Sequence, residues 1–221
     1  MRILVIDIGG SHVKVLATGR NVPIKIPSGP TMTAKEMVLR VRQAVAGWKF
    51  EAVSIGYPGA VWHGKPVIEP RNLGGGWVGF NFRRAFGCPV KVINDAAMQA
   101  LGSYKGGRML FLGLGTGLGS ALIIDGVLEP MELAHLPYKK GRTYEEYVGQ
   151  TGLDRLGKKK WRRHVVDVMA RLKAALEVDD VVVGGGNAKC LRRLPAGVRR
   201  GSNAHAFIGG YRLWTPKSRR G

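Results

Sequence analysis

Runs of apolar residues, separated by short polar or glycine-rich breaks, dominate the first part of the chain. Runs of roughly four to eight apolar residues are typical of buried strands. They predict strands at Ile3–Ile8, Val13–Ala17, Val22–Ile26, Ala52–Ile55 and Val90–Ile93. From Ala34 to about Gly47 the apolar residues instead recur at helical spacing, and Thr33 followed by Glu36 is typical of a helix N-terminus.

The second part of the chain repeats this order of elements. Its apolar runs predict strands at Met109–Leu114, Ser120–Ile124 and near Val127–Leu128, followed by helices. One of these helices is amphipathic, because apolar residues recur on one of its faces. Those residues are Trp161, Val165, Val168, Leu172 and Leu176. Two similar halves of strands followed by a helix predict a duplicated α/β fold.

Between the two halves, the segment Gly56–Phe80 is rich in glycine and proline and contains Trp62 and Trp77. A loop region of this length is more often functional than idle. The alternative is a flap that only covers the edges of a sheet, and the sequence leaves both open.

Three glycine-rich turns follow apolar runs that predict strands, the third of them after Val181–Val183. After such a strand, glycine lets the chain reverse sharply and leaves backbone N–H groups open to an anion. The turns contain Gly9, Gly10 and Ser11, then Gly115, Thr116 and Gly117, and finally Gly184, Gly185 and Gly186. Asp7 precedes the first turn, where a carboxylate beside phosphate is suited to a metal ion. Together they suggest phosphoryl transfer, although each turn alone could be a plain strand connection. Neither the P-loop nor the Rossmann fingerprint is present.

Composition narrows the possible partners. The chain has 221 residues, 45% of them hydrophobic, and a formal net charge of +20, with a dense basic segment from Lys139 to Arg163. Such a charge should attract polyanions, most strongly at low salt. With two cysteines, no signal pattern and no long apolar run, the sequence predicts a cytoplasmic protein with no disulfide framework and no membrane partner.

By its ordered set of motifs, the chain is identified as a member of the ROK family of sugar kinases, and it is similar in particular to the family's polyphosphate glucokinases. Besides the three glycine turns, the motifs are Gly56-Tyr57-Pro58-Gly59, Asn72-Leu73-Gly74, Asn94-Asp95-Ala96, Glu132-Leu133-Ala134-His135 and Thr143-Tyr144-Glu145-Glu146. The resemblance implies an actin/hexokinase-like (ribonuclease H-like) duplicated α/β fold with two lobes and a central cleft. We expect an N-terminal lobe at 1–93 and a C-terminal lobe at 94–221, with a helix near 203–214 that can pack back on the first lobe.

The resemblance also implies the sugar site. Asp95 is the expected general base, although Asn94 or Asp95 could instead cap a helix. The expected sugar contacts are Asn72, Asn94, Asp95, Glu132, His135 and Glu145. For the segment that contains Glu145, a capping box of Thr143 with Glu146 is the open alternative. Ala134 stands where the family has glycine, which puts the local backbone in question.

On the donor side, Asp7 is expected to hold Mg²⁺ through water, because this ion keeps most of its waters. The expected donor contacts are Gly9, Gly10, Ser11, Lys14, Thr116, Gly117, Gly184, Gly185 and Gly186; Lys14 could instead be an exposed strand lysine. The family's zinc loop is absent after His135, so no structural zinc is expected.

The expected reaction is transfer of a terminal phosphate to the 6-hydroxyl of glucose, from inorganic polyphosphate. An ATP-dependent hexose kinase with the same site is the first alternative. The second is a sugar-sensing or nucleic-acid-binding regulator. No nucleic acid partner is expected, because the family's regulators carry an N-terminal helix-turn-helix, whereas here the strand Ile3–Ile8 starts at the third residue and Asn94-Asp95 is intact. Formation of a homodimer is left open.

Overall fold

A computed structural model describes residues 1–215. Its internal contacts divide the chain into two units: the first is Met1–Met98 together with the chain from Ala206 onward, and the second is Gln99–His205. The domain boundary expected between 93 and 94 stays a prediction. None of the helices in the described part of the chain is long and apolar enough to cross a membrane.

The first unit is built on a five-stranded sheet. Its elements are β1 (Ile3–Ile8), β2 (His12–Ala17), β3 (Ile24–Pro27), α1 (Ala34–Ala44), β4 (Ala52–Tyr57), β5 (Val61–Trp62), β6 (Lys65–Pro66), α2 (Phe82–Phe86), β7 (Val90–Asn94) and α3 (Asp95–Ser103), the last of which continues into the second unit. The strand order is β3-β2-β1-β4-β7. β1, β2 and β3 pair antiparallel, whereas β1, β4 and β7 pair parallel.

The second unit repeats this sheet. Its elements are β8 (Arg108–Leu114), β9 (Leu118–Ile124), β10 (Val127–Met131), β11 (Pro137–Lys139), β12 (Arg142–Thr143), α4 (Tyr144–Val148), α5 (Gln150–Leu176), β13 (Asp180–Gly184) and β14 (Val198–Arg200). The strand order is β10-β9-β8-β13-β14, again three antiparallel strands followed by parallel ones. The repeated order confirms the predicted duplication.

The cores lie where the apolar patterns predict them. All six residues of β1 are buried, because a central strand is covered on both faces. Thr33 caps α1 by accepting the Glu36 N–H at 3.2 Å. On α5 the predicted face is buried at Trp161, Val165, Val168 and Leu172 and partly buried at Leu176.

Some boundaries differ from the sequence prediction. β3 begins at Ile24 instead of Val22, since Pro23 has no N–H for a ladder and Val22 is 77% exposed. The Gly56–Phe80 segment is not all loop, because Gly56 and Tyr57 complete β4 and β5 pairs with β6 in a small hairpin. The long helix α5 changes direction at Gly157, whose φ of 70° is outside the helical region.

The C-terminal helix α6 (His205–Arg212) completes the first unit. Ala206 and Phe207 pack with Ile3, Val5 and Met98 in one apolar cluster. Ser54 Oγ, in the middle of β4, donates to the carbonyl of Gly210 at 2.6 Å. A helix in the region predicted for 203–214 therefore covers one face of the first sheet.

Candidate active site

The end of β1 carries a nearly buried carboxylate. Asp7 is only 7% exposed and lies opposite Lys14 in the β1–β2 pairing. Lys14 Nζ donates to Asp7 Oδ2 at 3.2 Å, so the lysine is not simply a solvated strand residue. The pair places one cation and one anion at the start of the first glycine turn.

The turn Gly9–Gly10–Ser11 is held from below by one serine. Ser28 Oγ donates to the Gly9 carbonyl at 2.7 Å, and Ser28 N–H donates to the Ser11 carbonyl at 3.0 Å. Gly10 and Ser11 themselves are exposed. A Cβ on Gly10 would lie 3.2 Å from Asn72 Cβ, so the structure brings a predicted sugar residue beside a predicted phosphate turn.

Glu69 organises the loop that carries Asn72. Its carboxylate accepts the N–H groups of Trp77 and Val78, each at 3.1 Å. Trp77, which is fully buried, donates its Nε1–H to the Gly74 carbonyl at 2.6 Å. Sequence reasoning missed Glu69; its position as the one acidic residue between Gly56 and Phe80 was the available signal.

Asn94 and Asp95 stand where β7 runs directly into α3. Asn94 Oδ1 accepts the Ala97 N–H at 3.1 Å, and its Nδ2 donates to the Gly59 carbonyl at 3.1 Å. Asn94 therefore caps α3 and also ties down the loop after β4. Asp95 is half-buried at the first position of the helix, with Oδ1 accepting the N–H of the next residue at 2.8 Å.

In the second unit, the turn Gly115–Thr116–Gly117 has all three of its carbonyls bonded. Gly115 N–H donates to the Gly117 carbonyl at 3.1 Å, and Gln150 N–H donates to the Thr116 carbonyl at 3.1 Å. Asn187 Nδ2 donates to the Gly115 carbonyl at 3.2 Å and to Gln150 Oε1 at 2.9 Å. This network, of which Gln150 was missed by sequence reasoning, joins the second glycine turn to the third.

Glu145 lies against the same turn. Its Oε2 accepts the Leu118 N–H at 3.3 Å, and a Cβ on Gly117 would overlap that oxygen. Glu146 instead completes a capping box with Thr143, whose N–H donates to Glu146 Oε2 at 2.8 Å. The two adjacent glutamates thus have separate positions, and Glu145 is the one that reaches the predicted donor residues.

Glu132 and His135 flank a single 3-10 turn, Leu133–His135. Both side chains are exposed, whereas Leu133 and Ala134 are buried. Leu133 N–H donates to Ser120 Oγ at 3.2 Å, which fixes the turn on β9. Ala134 adopts the negative φ of a 3-10 turn, so this backbone does not require glycine at that position.

The third turn follows β13 and has one strictly required glycine. Gly185 has a φ of 82°, and a Cβ there would overlap the backbone of Leu114. A Cβ on Gly184 would lie 2.6 Å from the Phe111 ring, whereas one on Gly186 would meet nothing within 4 Å. Gly186 is exposed, so the tip of this turn is open.

The donor set suits magnesium better than a fully protein-bound metal. Among residues 1–215 no group of three His, Cys, Asp or Glu side chains converges as a metal cluster. Mg²⁺ is commonly bound by one or two carboxylates plus phosphate oxygens and water. The lone carboxylate Asp7, at the base of a glycine turn, fits that mode.

Comparison with known proteins places the chain among kinases of one family. The model of the ROK family matches residues 3–129. Polyphosphate glucokinase of Mycobacterium tuberculosis is 31% identical over 206 residues, covering 82% of this chain and 76% of that protein. Polyphosphate glucokinase of Mycobacterium leprae is 29% identical over 206 residues, which cover 82% of this chain and 62% of that protein.

Two solved structures illustrate the shared fold. The inorganic polyphosphate/ATP-glucomannokinase of an Arthrobacter strain has a TM-score of 0.78 at 24% identity, covering 96% of this chain and 97% of that one. A ROK family glucokinase of Streptomyces griseus, solved with glucose and AMPPNP, also has a TM-score of 0.78, at 19% identity, covering 96% of this chain and 99% of that one. The two-lobe actin-like fold expected from the sequence is thereby confirmed.

Proposed function

The chain belongs to the ROK family, and on that premise we propose that it is a sugar kinase that transfers a phosphoryl group to the 6-hydroxyl of glucose. This proposal rests on the different hydrogen bonding of the neighbours Asn94 and Asp95. Asn94 caps α3, so the carboxylate of Asp95 is not needed as the cap and is held at the start of the helix. A carboxylate fixed in this way is suited to accept the proton of a sugar hydroxyl.

The sugar would be bound by hydrogen bonds to the remaining predicted contacts. Amide and carboxylate side chains can each bond two neighbouring hydroxyl groups. Asn72 supplies such a group beside Gly10, and Glu132 and His135 supply others from one exposed turn. Glu145, placed against Gly117, would orient the donor turn or contact the sugar at its reacting end.

The transferring phosphate would be held by backbone N–H groups of the glycine turns. Phosphoryl transfer depends on positioning and on positive charge over the phosphate oxygens. Lys14 can supply one such charge, and bound Mg²⁺ would neutralise the donor oxygens beside Asp7. Lys14 Nζ lies 3.2 Å from Asp7 Oδ2, so the carboxylate that would hold the ion already has one cationic neighbour.

For the donor, we propose inorganic polyphosphate. Exposed cations of α5 (Lys158, Lys159, Lys160 and Arg163) and of the segment after the third turn (Lys189, Arg192 and Arg193) all belong to the second unit. Arg162 Nε donates to the Cys190 carbonyl at 2.5 Å, which places the two groups side by side. A nucleotide carries roughly four negative charges and would leave most of these cations unpaired, whereas a polyphosphate chain could follow them.

A donor panel tests the proposal. Purified protein is assayed with glucose, mannose and glucosamine, each with long-chain polyphosphate or ATP, in the presence of Mg²⁺. We expect sugar 6-phosphate from glucose, with a higher kcat/KM for polyphosphate than for ATP. A higher kcat/KM for ATP would favour the ATP-dependent hexose kinase. No product from any pair would overturn the kinase assignment and leave a sugar-sensing protein.

A further inference from the structure

A cluster of titratable and aromatic side chains in the second unit lies just after the predicted sugar turn. Tyr138 is the centre of this cluster, which we call the Tyr138 cluster; its members are Tyr138, Lys139, His164, Asp167 and Arg171. The tyrosine belongs to β11, three residues after His135. The hairpin of β11 and β12 connects the sugar turn to α4, the helix that carries Glu145.

Tyr138 fixes this hairpin to α5. Its hydroxyl donates to Asp167 Oδ2 at 2.6 Å and lies 3.0 Å from His164 Nδ1. Its ring packs against Tyr144 and Tyr147 of α4, with ring centroids 5.3 and 5.0 Å apart. One side chain therefore joins the hairpin to both helices, while the neighbouring Pro137, Lys139 and Lys140 are exposed.

The charges around Asp167 determine which groups donate and which accept in the hydrogen bonds of Tyr138. The bond from Tyr138, supported by Arg171 and Lys139, lowers the pKa of Asp167 from 3.8 to about 2, so the carboxylate only accepts. Burial, with Asp167 adding to it, raises the pKa of Tyr138, so the hydroxyl stays protonated. Because that hydroxyl donates to Asp167, its oxygen is left to accept, and His164 must carry its proton on Nδ1.

The sugar turn is also attached by hydrogen bonds of its backbone, beginning just before it, where Ser120 Oγ donates to the Met131 carbonyl at 2.7 Å. Leu133 N–H bonds to Ser120 Oγ at 3.2 Å, and Tyr144 N–H bonds to the Leu136 carbonyl at 3.0 Å. Both fix backbone on either side of the turn, while Glu132 and His135 point into solvent. Leu133 and Ala134, between them, are held by apolar packing in the core, and Tyr138 is the first hydrogen-bonded side chain after this turn in the sequence.

We propose that Tyr138, held by Asp167 and His164, is a positioning residue that orients Glu132 and His135 for the sugar. The role rests on the proposed function, since it concerns the sugar half of that site. Tyr138 acts through the hairpin backbone and does not touch the substrate. Its loss should weaken sugar binding and leave the donor half unchanged.

Tyr138→Phe tests this role, because it removes only the hydroxyl and leaves Asp167 paired with Arg171 and Lys139. We expect the KM for sugar to rise about threefold to tenfold, with the KM for the phosphate donor and kcat within about twofold of wild type. Tyr104→Phe is the matched control, since Tyr104 also donates from its hydroxyl, to the Gly107 carbonyl at 3.1 Å, in the same unit. It should change neither KM.

Asp167→Asn is a second, more conservative variant that tests the same hydrogen bond. Its amide oxygen can still accept from Tyr138, so the KM for sugar should rise less than in Tyr138→Phe, and adding Asp167→Asn to Tyr138→Phe should raise it little further. Equal rises in both KM values, or an unchanged KM for sugar in Tyr138→Phe, would overturn the positioning role.

Amide hydrogen exchange separates this proposal from the proposed function. In Tyr138→Phe the amides between 132 and 139 should exchange faster, with those of β13 unchanged. If wild type phosphorylates no sugar while exchange at 132–139 still rises in Tyr138→Phe, the proposed function fails, although Tyr138 still fixes the turn that carries Glu132 and His135. If exchange at 132–139 is unchanged, the positioning role fails even in an active kinase.

Discussion

At the scale of single residues, Asn94 and Asp95 are neighbours with different bonding. Both oxygen and nitrogen of the Asn94 amide are used within the protein, by Ala97 and Gly59. Asp95 occupies the first position of α3, where a negative charge is favoured by the helix dipole. The cap and the candidate base are thus two residues, although the sequence pattern Asn-Asp allows either to be the cap.

Asp95→Asn is nearly isosteric and should remove most turnover. Loss of a general base typically lowers kcat by about 10² to 10⁴, while glucose binding, measured by calorimetry, should change little. Asn94→Ala provides the comparison, since loss of the cap should cost about 1 kcal/mol of folding free energy in a denaturant titration. An Asp95→Asn enzyme with more than about half of wild-type kcat, measured where chemistry limits the rate, would show that Asp95 is not the base.

Asp167 makes folding stability depend on pH in acid. Its pKa is lowered on folding from 3.8 to about 2, so its contribution is fully present above 3.8 and is lost as pH falls through 2. Asp167→Asn should therefore have a lower Tm than wild type at neutral pH. The difference in Tm should shrink between pH 4 and pH 2, in thermal unfolding followed by circular dichroism. A constant difference over that interval would mean that the Asp167 charge does not stabilise the fold.

At the scale of elements, the third glycine turn contains one glycine that the backbone requires and one that it does not. Gly185 needs its positive φ and lies against Leu114 backbone, while Gly186 next to it has open space. The turn is also joined to the second one through Asn187. Two adjacent residues of the same type can therefore be tested against each other.

Gly185→Ala should lower folding stability by at least about 2 kcal/mol, because a side chain there is strained and overlaps backbone. Gly186→Ala should stay within about 0.5 kcal/mol of wild type. If Gly186 lies at the donor, its variant should still raise the KM for the phosphate donor. Similar stabilities for both variants, from urea unfolding, would contradict the geometry of this turn.

The elements that the sequence predicts well are those with an uninterrupted local pattern. β1 matches its apolar run residue for residue, and Thr33 with Glu36 places the start of α1. The sequence-predicted end of α1 at about Gly47 is three residues too late, because Val45 already leaves the helical φ/ψ region. Local signals also miss two-residue strands such as β5 and β6, since these form only by pairing with each other.

The candidate site is predictable only in part for the same reason. Glycine turns after strands, with Asp7 and Asp95, stand out because residue type and position coincide. The Tyr138 cluster does not, since Tyr138 and Asp167 are 29 residues apart and meet only when the hairpin packs on α5. The role of Gln150 in tying the Thr116 carbonyl likewise depends on tertiary contact.

At the scale of the whole molecule, the net charge of +20 is the dominant electrostatic property. The cations of α5 and of the segment after the third turn make the electrostatic potential around them still more positive. Exposed cations that bind a polyanion release its counterions, so binding weakens steeply with salt. A neutral sugar is not subject to this effect, so salt dependence gives a way to separate the two proposed substrates.

Reversing Lys158, Lys159 and Lys160 to Glu should lower kcat/KM for polyphosphate by at least about tenfold at low salt, and for ATP far less. The control has the same change in charge at three exposed lysines elsewhere, Lys35, Lys49 and Lys105. It should affect both donors only slightly. Equal losses for polyphosphate and ATP in the first variant would rule out a polyphosphate track on α5.

The closing of the first unit by α6 has a consequence for biosynthesis. The apolar face formed by Ile3, Val5 and Met98 is translated early, but its cover, Ala206 and Phe207, is translated after the entire second unit. On the ribosome the second unit can therefore finish folding first, while the older part of the nascent chain keeps an uncovered hydrophobic surface. Such a surface is what chaperones bind and what aggregates when translation stalls. A stop codon just before Ala206 would leave the first unit permanently in that state.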